Sequence, residues 1–226
     1  MDMVPLILAS ILWVGVHFGI AGTAARARLV GRLGERGFTI GYSVLSVGAI
    51  ILLVQAWGAA PHIGLWFTPD WLRWVLALLM LPAFVLFVAS VASPNPTAVA
   101  GRLTTPEPRG IQRITRHPML WSFALWGLLH LIAKGSLGGV FFFGAFLVTA
   151  LAGMPSIDRK LAARSPESWA RLGPATSILP FGAIIAGRNR LALAEIPVFV
   201  WPVAVLAWLG FLLFHQHLFG HPAIPL

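Results

Sequence analysis

Apolar residues occur along this chain in six long runs, separated by short segments rich in arginine, proline and glycine. The runs cover about residues 4–22, 40–57, 71–92, 119–133, 137–153 and 197–219. A helix needs roughly 20 apolar residues to cross a bilayer, and the first, second, third and sixth runs are long enough. The fourth and fifth are shorter and are joined by a tight turn at residues 134–136, which predicts a partly shielded helical hairpin. The pattern therefore predicts an all-α, polytopic membrane helix bundle of about six transmembrane helices, with residues 1–226 as a single domain.

The composition agrees with a membrane protein and narrows its chemistry. Apolar residues make up 58% of the chain, and charged residues only 10%, against about 25% in soluble domains. There is no cysteine, which excludes disulfides, thiolate metal ligands, iron–sulfur clusters and thiol nucleophiles. The net charge is +9, but the basic residues lie between apolar runs rather than on one soluble face, so nucleic acid is not an expected partner.

The basic residues also predict the orientation of the chain. All of the 16 lysines and arginines except Arg73 and Lys134 fall in residues 26–36, 102–116 and 159–190. Short loops rich in lysine and arginine face the cytoplasm, so both termini are expected outside, in the periplasm. The predicted location is a bacterial inner (cytoplasmic) membrane, which the chain crosses several times. The first apolar run is preceded by Asp2 and by no basic residue, so a cleaved signal peptide is not expected.

Three segments between the runs have recognisable local patterns. Residues 93–109 contain four prolines and are not expected to form a continuous helix. Residues 166–172 are typical of a short interfacial helix with Trp169 towards the lipid headgroups. Residues 177–187 are apolar but too short to cross, which favours a re-entrant segment.

The segment RGIQRITRHPMLWSFALWGLLH, residues 109–130, joins a basic loop to an apolar helix. Pro118 is compatible with the first turn of that helix, where its missing N–H needs no partner. The helix then places Ser122, Trp126 and His130 four residues apart on one face.

Two histidines lie inside predicted spans and are the candidate metal ligands. His17 follows Gly15 and precedes Gly19, and these glycines leave nearly bare backbone for a close helix or a flat ligand. His17 and His130 are either core histidines bonded to backbone carbonyls or functional residues, as ionisable groups within spans often are. Two such histidines on different helices suit the iron of haem b, with Trp126 as an aromatic wall. From the helical rise per residue, His17 and His130 are predicted to lie roughly 12 Å apart along the membrane normal, so a haem between them would be tilted.

Other residues are weaker candidates for holding a cofactor. His117 is the alternative partner of His17, although its position suggests an interfacial role. His62, His215, His217 and His221 are expected to be interfacial or solvated. The set Arg109, Arg113 and Arg116, with Asn95 and Thr97, would hold an anionic group such as a haem propionate or a cofactor phosphate; the alternative is orientation of the chain and contact with lipid headgroups. Asp158 is expected to pair with a nearby arginine.

Several motifs together make the chain resemble the NnrU family, whose relatives include plant and cyanobacterial zeta-carotene isomerases. They are HFGIAG, LGERGF followed by YSVLS, the Asn95-Pro96-Thr97 loop, the segment of residues 109–130, and TSILPFGAIIAGR. The resemblance implies a haem-b membrane protein. The isomerases convert a cis double bond of a carotene to trans, and bacterial NnrU proteins are linked to nitrite and nitric oxide respiration, that is, to denitrification. By motif, the axial histidines of the isomerases correspond to His17 and His130, and His117 matches a further histidine.

The chain departs from these isomerases in one respect, because a cysteine has been considered in their redox-dependent ligand exchange and this chain has none. A more distant likeness connects the RHP motif to isoprenylcysteine and phospholipid methyltransferases and to sterol reductases. Leu120 and Asp158-Arg159 stand where those methyltransferases have a tyrosine and a glutamate pair, so their nucleotide cofactor is not carried over.

Three classes of function remain from the sequence. They are a haem-dependent isomerase of a hydrophobic polyene, a non-enzymatic haem protein of nitrogen-oxide respiration, and a cytoplasmic-face transferase or reductase. The residues favour a haem protein and leave the first two readings open. The expected partners are membrane lipid and a hydrophobic small-molecule substrate, and the oligomeric state is not indicated.

Overall fold

A computed structural model describes residues 2–20, 23–93 and 107–225. Within these ranges the chain is helical and contains no β-strand. The helices are α1 (Val4–Gly15), continued by a π-helical segment (Val16–Ile20), α2 (Ala24–Ala59), α3 (Asp70–Ala92), α4 (Ile111–Ile114), α5 (Pro118–Lys134), α6 (Leu137–Arg164), α7 (Pro166–Ala175), α8 (Gly182–Ile185), a 3-10 turn (Leu193–Glu195) and α9 (Val200–Phe219).

Each of the six predicted apolar runs is helical, which confirms the all-α class. Four helices, α2, α3, α6 and α9, are long and apolar enough to cross a membrane. The first run forms a shorter apolar helix, Val4–Ile20, and α5 has 17 residues. The count of six spans and the orientation of the termini stay predictions.

The second run begins much earlier than its hydropathy indicates, because the arginine-rich segment before it is also helical. Alanine, arginine and leucine are strong helix formers, and the Thr23 hydroxyl caps α2 by accepting a hydrogen bond from the amide of Ala25 (3.2 Å). The helix is kinked at Gly34, whose φ is 71° and ψ is 165°. The Arg26–Glu35 ion pair (2.8 Å) spans this kink.

The fifth run is also longer than predicted, since α6 continues past Pro155 to Arg164. The short helix predicted at residues 166–172 is present as α7. The guanidinium of Arg116 lies over the ring of Trp169, 5.3 Å from the ring centroid. Trp169 therefore contacts protein in addition to any lipid headgroup. The predictions for residues 94–106, including Asn95, Thr97 and Arg102, lie outside the described residues.

The chain divides into two compact units. The first, here called unit 1, comprises Met1–Thr68 and Gly127–Gly153, and the second, unit 2, comprises Pro69–Trp126 and Met154–Leu226. Helices α5 and α6 each contribute residues to both units. His17 and His130 therefore belong to unit 1, whereas Arg113, Arg116, His117 and Trp126 belong to unit 2.

In unit 1 a loop is fastened to the turn between α5 and α6. The indole N–H of Trp66 and the hydroxyl of Thr68 both donate to the carbonyl of Ile132 (2.9 Å each). The amide of Trp66 donates to the carbonyl of Gly135 (3.1 Å). Gly135 has φ of 57°, and a Cβ there would collide with the Trp66 carbonyl. Only glycine fits this turn without a shift of the loop.

Unit 2 is built on a core between α3 and α9. Leu86, Ala89, Ile111, Val200 and Ala204 are buried in it. The indole N–H of Trp208 on α9 donates to the carbonyl of Ala77 on α3 (2.8 Å). Because lipid cannot accept a hydrogen bond, this donor is satisfied by the neighbouring helix.

Candidate functional site

His17 lies in the π-helical segment that continues α1. Its Nδ1 is 2.8 Å from the carbonyl oxygen of Trp13. A carbonyl can only accept, so Nδ1 carries a proton and donates it, and Nε2 is the ring nitrogen that this hydrogen bond does not use. Metal-binding histidines are commonly held in this way by a backbone carbonyl. Single π-helical turns are also frequent at functional sites.

The surroundings of His17 are aromatic on one side and open on the other. Its ring centroid lies 4.2 Å from that of Trp13 and 6.0 Å from that of Tyr42. A Cβ built on Gly15 or Gly19 meets no atom within 4 Å among the described residues. Gly15 and Gly19 are each two residues from His17, so the bare backbone is exposed on the face of the helix opposite to the His17 ring.

His130 lies on the same group of aromatic rings as His17. Its ring is 5.1 Å from that of Phe143. The rings of Trp13, Trp57, Phe142, Phe143 and Phe146, here called the aromatic cluster, follow one another at centroid distances of 4.9 to 5.6 Å. A continuous path of ring contacts thus joins the two histidines within unit 1.

The hydrogen bond of His17 through Nδ1 leaves Nε2 as the ring nitrogen that would bind haem iron. His130 supplies a second imidazole on the same cluster. The rings of Phe142, Phe143 and Phe146 stand between the two imidazoles in this path of contacts, so a porphyrin held by both histidines would have to displace them. Among the described residues, no group of three His, Asp or Glu side chains is placed to hold a metal ion.

In unit 2, His117 and Arg116 share one buried carboxylate. Nε2–H of His117 donates to Oδ1 of Asp158 (2.8 Å), while Nε and Nη2 of Arg116 donate to Oδ2 (2.9 and 2.8 Å). The exposed fractions of the side chains are 0% for His117, 11% for Asp158 and 12% for Arg116. The predicted pairing of Asp158 with an arginine is confirmed. For His117 to bind a metal through Nε2, it would first have to leave this carboxylate.

Arg113 is held by a different carboxylate. Its Nε and Nη2 donate to the two oxygens of Glu195 (2.7 and 2.9 Å), and its Nη1 donates to the side-chain oxygen of Asn189 (2.8 Å). The amide of Gly110 donates to the same carboxylate (2.9 Å). The hydrogen bonds from Arg113, and then that from Gly110, lower the pKa of Glu195 from its ordinary 4.5 to about 2, and the same pairing raises the pKa of Arg113.

The motif that carries Arg113, Arg116 and His117 is also tied to the later TSILPF segment. The Thr115 hydroxyl and the Trp121 indole N–H both donate to the carbonyl of Ile178 (2.7 Å each). The amide of Phe181 donates to the carbonyl of Ile114 (2.8 Å). These bonds fasten the entrance of α5 to the polar stretch before α9.

The structure thus separates the predicted site residues into two groups. His17 and His130 meet the aromatic cluster of unit 1, and Arg113, Arg116 and His117 form ion pairs or hydrogen bonds with carboxylates in unit 2. Trp126 lies on α5 one turn before His130. Sequence reasoning did not select Trp13, Tyr42, Asn189 or Glu195; for Trp13 and Tyr42 the available signal was an aromatic residue one turn from His17 and the only tyrosine of the chain.

The pattern of the family described as NnrU protein matches residues 5–223. The chain belongs to the NnrU family. The match covers both units, so it includes the histidines of unit 1 and the ion pairs of unit 2.

Two proteins similar to this member of the NnrU family are named "15-cis-zeta-carotene isomerase, chloroplastic". The one from Zea mays is 26% identical over 194 residues, which cover 83% of this chain and 52% of the relative. The one from Arabidopsis thaliana is 35% identical over 82 residues, 36% of this chain and 22% of the relative. The chain therefore spans about half the length of the maize relative. No solved structure is significantly similar to this chain.

Proposed function

We propose that this chain is a haem-binding membrane protein that converts a cis double bond of a carotenoid-type polyene to trans. The family and the two relatives named as isomerases support the reaction class. The observation that carries the cofactor part is the hydrogen bond from Nδ1 of His17 to the Trp13 carbonyl. It fixes the imidazole through Nδ1 and leaves Nε2 for a ligand, in an apolar and aromatic surrounding.

In this proposal His17 and His130 hold the haem, and the aromatic cluster binds the hydrocarbon. When bound, haem iron supplies a Lewis-acidic and redox-active centre beside the polyene. The Trp13 carbonyl fixes the ring orientation of His17, and the aromatic rings exclude water and pack against the flat polyene. Redox gating is part of the proposal, and because the chain has no cysteine, any group that replaced His17 or His130 would have to be another histidine, water or the substrate.

The two other readings of the sequence have less support. A haem protein of nitrite or nitric oxide respiration needs the same histidines, but the named relatives are isomerases. A nucleotide cofactor on Arg113 and Arg116 would have to displace the carboxylates of Glu195 and Asp158, which already occupy both guanidinium groups. The relatives are named as chloroplastic, so the bacterial inner membrane is part of the proposal and follows from the basic loops alone.

The cofactor part is tested by the visible spectrum of the purified protein. We expect wild type to show the sharp alpha and beta bands of a bis-imidazole ferrous haem, and His17→Ala and His130→Ala each to lose or alter them. His215→Ala is the matched control, because His215 donates to the carbonyl of His221 (2.6 Å) outside unit 1. Wild-type bands in both unit 1 variants would show that the ligands are assigned wrongly.

The reaction is tested by the isomer ratio of zeta-carotene. Membranes containing the protein would be supplied with the 15-cis isomer, and the products would be separated by chromatography. We expect an increased share of the trans isomer with wild type and His215→Ala, and none with His17→Ala. An unchanged ratio with haem-loaded wild type would reject the isomerase and favour the respiratory reading.

A further inference from the structure

Two buried polar atoms in unit 1 have no hydrogen-bond partner among the described residues. They are the indole Nε1 of Trp13 and the hydroxyl Oγ of Ser46. Leaving such a group unsatisfied carries a free-energy cost, and hydrocarbon lipid offers no replacement. A native protein that keeps two such groups has a reason for them, such as a bound ligand or a buried water.

The two orphan groups are brought together by the packing of α1 against α2. The helices run in opposite directions, because Leu6 near the start of α1 and Trp57 near the end of α2 both approach Gly138. At the other end of α1, His17 meets Tyr42.

Counting from that contact places the orphans at one level. Trp13 lies four residues before His17 and Ser46 four residues after Tyr42, so each is one helical turn further along the same face. The Ser46 hydroxyl is near the Tyr42 phenol but does not reach hydrogen-bonding geometry with it. Trp13, His17, Tyr42 and Ser46 therefore surround one region.

The chemistry of this region selects its ligand. Trp13 offers an N–H donor and Ser46 a hydroxyl, and neither side chain carries a charge. Arg26, whose guanidinium lies over the Phe38 ring that stacks on Tyr42, is already paired with Glu35. The fitting group is a hydrogen-bond-accepting oxygen on an otherwise apolar molecule. A carotene hydrocarbon has no oxygen, so this group is not part of such a substrate.

We propose that Trp13 and Ser46 form a hydrogen-bonding subsite beside His17 for the carbonyl or carboxyl oxygen of a membrane-soluble ligand. Two sources offer such an oxygen, namely the carbonyl of an isoprenoid quinone and, resting on the proposed function, a protonated carboxyl of a haem. The subsite goes beyond the proposed isomerisation and stands on the two orphan groups, whichever substrate the protein uses.

The first test is the stability of the ligand-free protein in detergent. Trp13→Phe keeps an aromatic ring and the backbone carbonyl bonded to His17 but removes the N–H, and Ser46→Ala removes the hydroxyl. Because each change removes an unsatisfied group, we expect the melting temperature to stay equal or to rise by about 2–4 °C. The controls are Trp208→Phe and Ser10→Ala, whose polar atoms have partners, and both are expected to lower it.

The second test is ligand affinity, measured with a benzoquinone carrying one isoprenoid unit, with haem, and with the alkylbenzene that lacks the quinone oxygens. We expect the two variants to bind one of the two ligands, the quinone or haem, about five- to tenfold more weakly than wild type does. The ligand whose affinity falls is the source of the oxygen. The alkylbenzene should bind to the variants and to wild type equally well. If both variants instead melt as low as Trp208→Phe without ligand and keep wild-type affinities for quinone and haem, the orphans hold a structural water and the proposal is wrong.

Discussion

The buried carboxylate of Asp158 gives the sharpest prediction of stability. It accepts three hydrogen bonds from Arg116 and His117, and its side chain is 11% exposed. Asp158→Asn keeps the shape of the side chain but leaves the Arg116 charge uncompensated in a desolvated place. Removing one partner of a buried ion pair lowers the free energy of unfolding by about 3–5 kcal/mol.

A matched control is available in the same chain. Arg26 and Glu35 form an ion pair of the same length, 2.8 Å, but with exposed fractions of 30% and 66%. Solvent screens such a pair, so Glu35→Gln is expected to cost less than about 1 kcal/mol. For a protein of this size, each kcal/mol corresponds to roughly 2–4 °C in melting temperature. Asp158→Asn should therefore melt about 6–20 °C lower than wild type, and Glu35→Gln at most about 4 °C lower.

Both variants would be unfolded thermally in detergent and followed by tryptophan fluorescence, for which the chain has ten tryptophans. The double variant Asp158→Asn/Arg116→Gln should lose less stability than the two single changes added together, because neither charge is then left alone. Equal losses for Asp158→Asn and Glu35→Gln would refute the reasoning, since they would show that burial does not strengthen this pair.

Two further variants test the local geometry. Gly135→Ala should lower the free energy of unfolding by about 2–3 kcal/mol, since its Cβ would collide with the Trp66 carbonyl. Gly187→Ala is the control, because Gly187 has φ of 67° and open space around it, and it should lower the free energy of unfolding by about 1 kcal/mol. Similar shifts in melting temperature for both variants would contradict the loop contact. Because the pKa of Glu195 is lowered to about 2, its pair with Arg113 stabilises the fold above about pH 4.5 and loses this effect as the pH falls towards 2. Glu195→Gln should thus flatten the dependence of melting temperature on pH between 5 and 3, and an unchanged slope would show that this pair does not contribute.

Hydropathy alone located the helices of this chain well, and it failed where polar residues are helical. Pro118 was expected in the first turn of a helix, and α5 begins there. The arginines before Ile40 predict a basic loop, because they indicate which side of the membrane this segment faces. Arginine is nevertheless a strong helix former, so α2 starts at Ala24. Charge indicates where a segment lies relative to lipid, and it does not indicate whether the backbone is helical.

The partners of the basic residues were harder to predict than their positions. Arg113 pairs with a carboxylate 82 residues away, and Arg116 with one 42 residues away. Such contacts depend on how helices pack, which local pattern does not encode. The hydrogen bond of His17 to Trp13 is different, because it joins residues four apart on one helix. The sequence analysis leaves open whether His17 is a carbonyl-bonded core histidine or a ligand, and this hydrogen bond is compatible with both.

The division between the two groups of residues has a consequence for how variants should behave. Only seven acidic residues occur in the chain, and two of them neutralise Arg113 and Arg116. The charged part of the RITRHP motif is therefore satisfied within the protein and fastens α5 to the segments around it. Substitutions at Arg113, Arg116 or Asp158 should accordingly change stability while any surviving folded protein keeps the haem spectrum. Substitutions at His17 or His130 should change the spectrum with a smaller loss of stability. A variant of Arg116 that folds as stably as wild type but loses the haem bands would contradict this separation and would place that arginine at the cofactor.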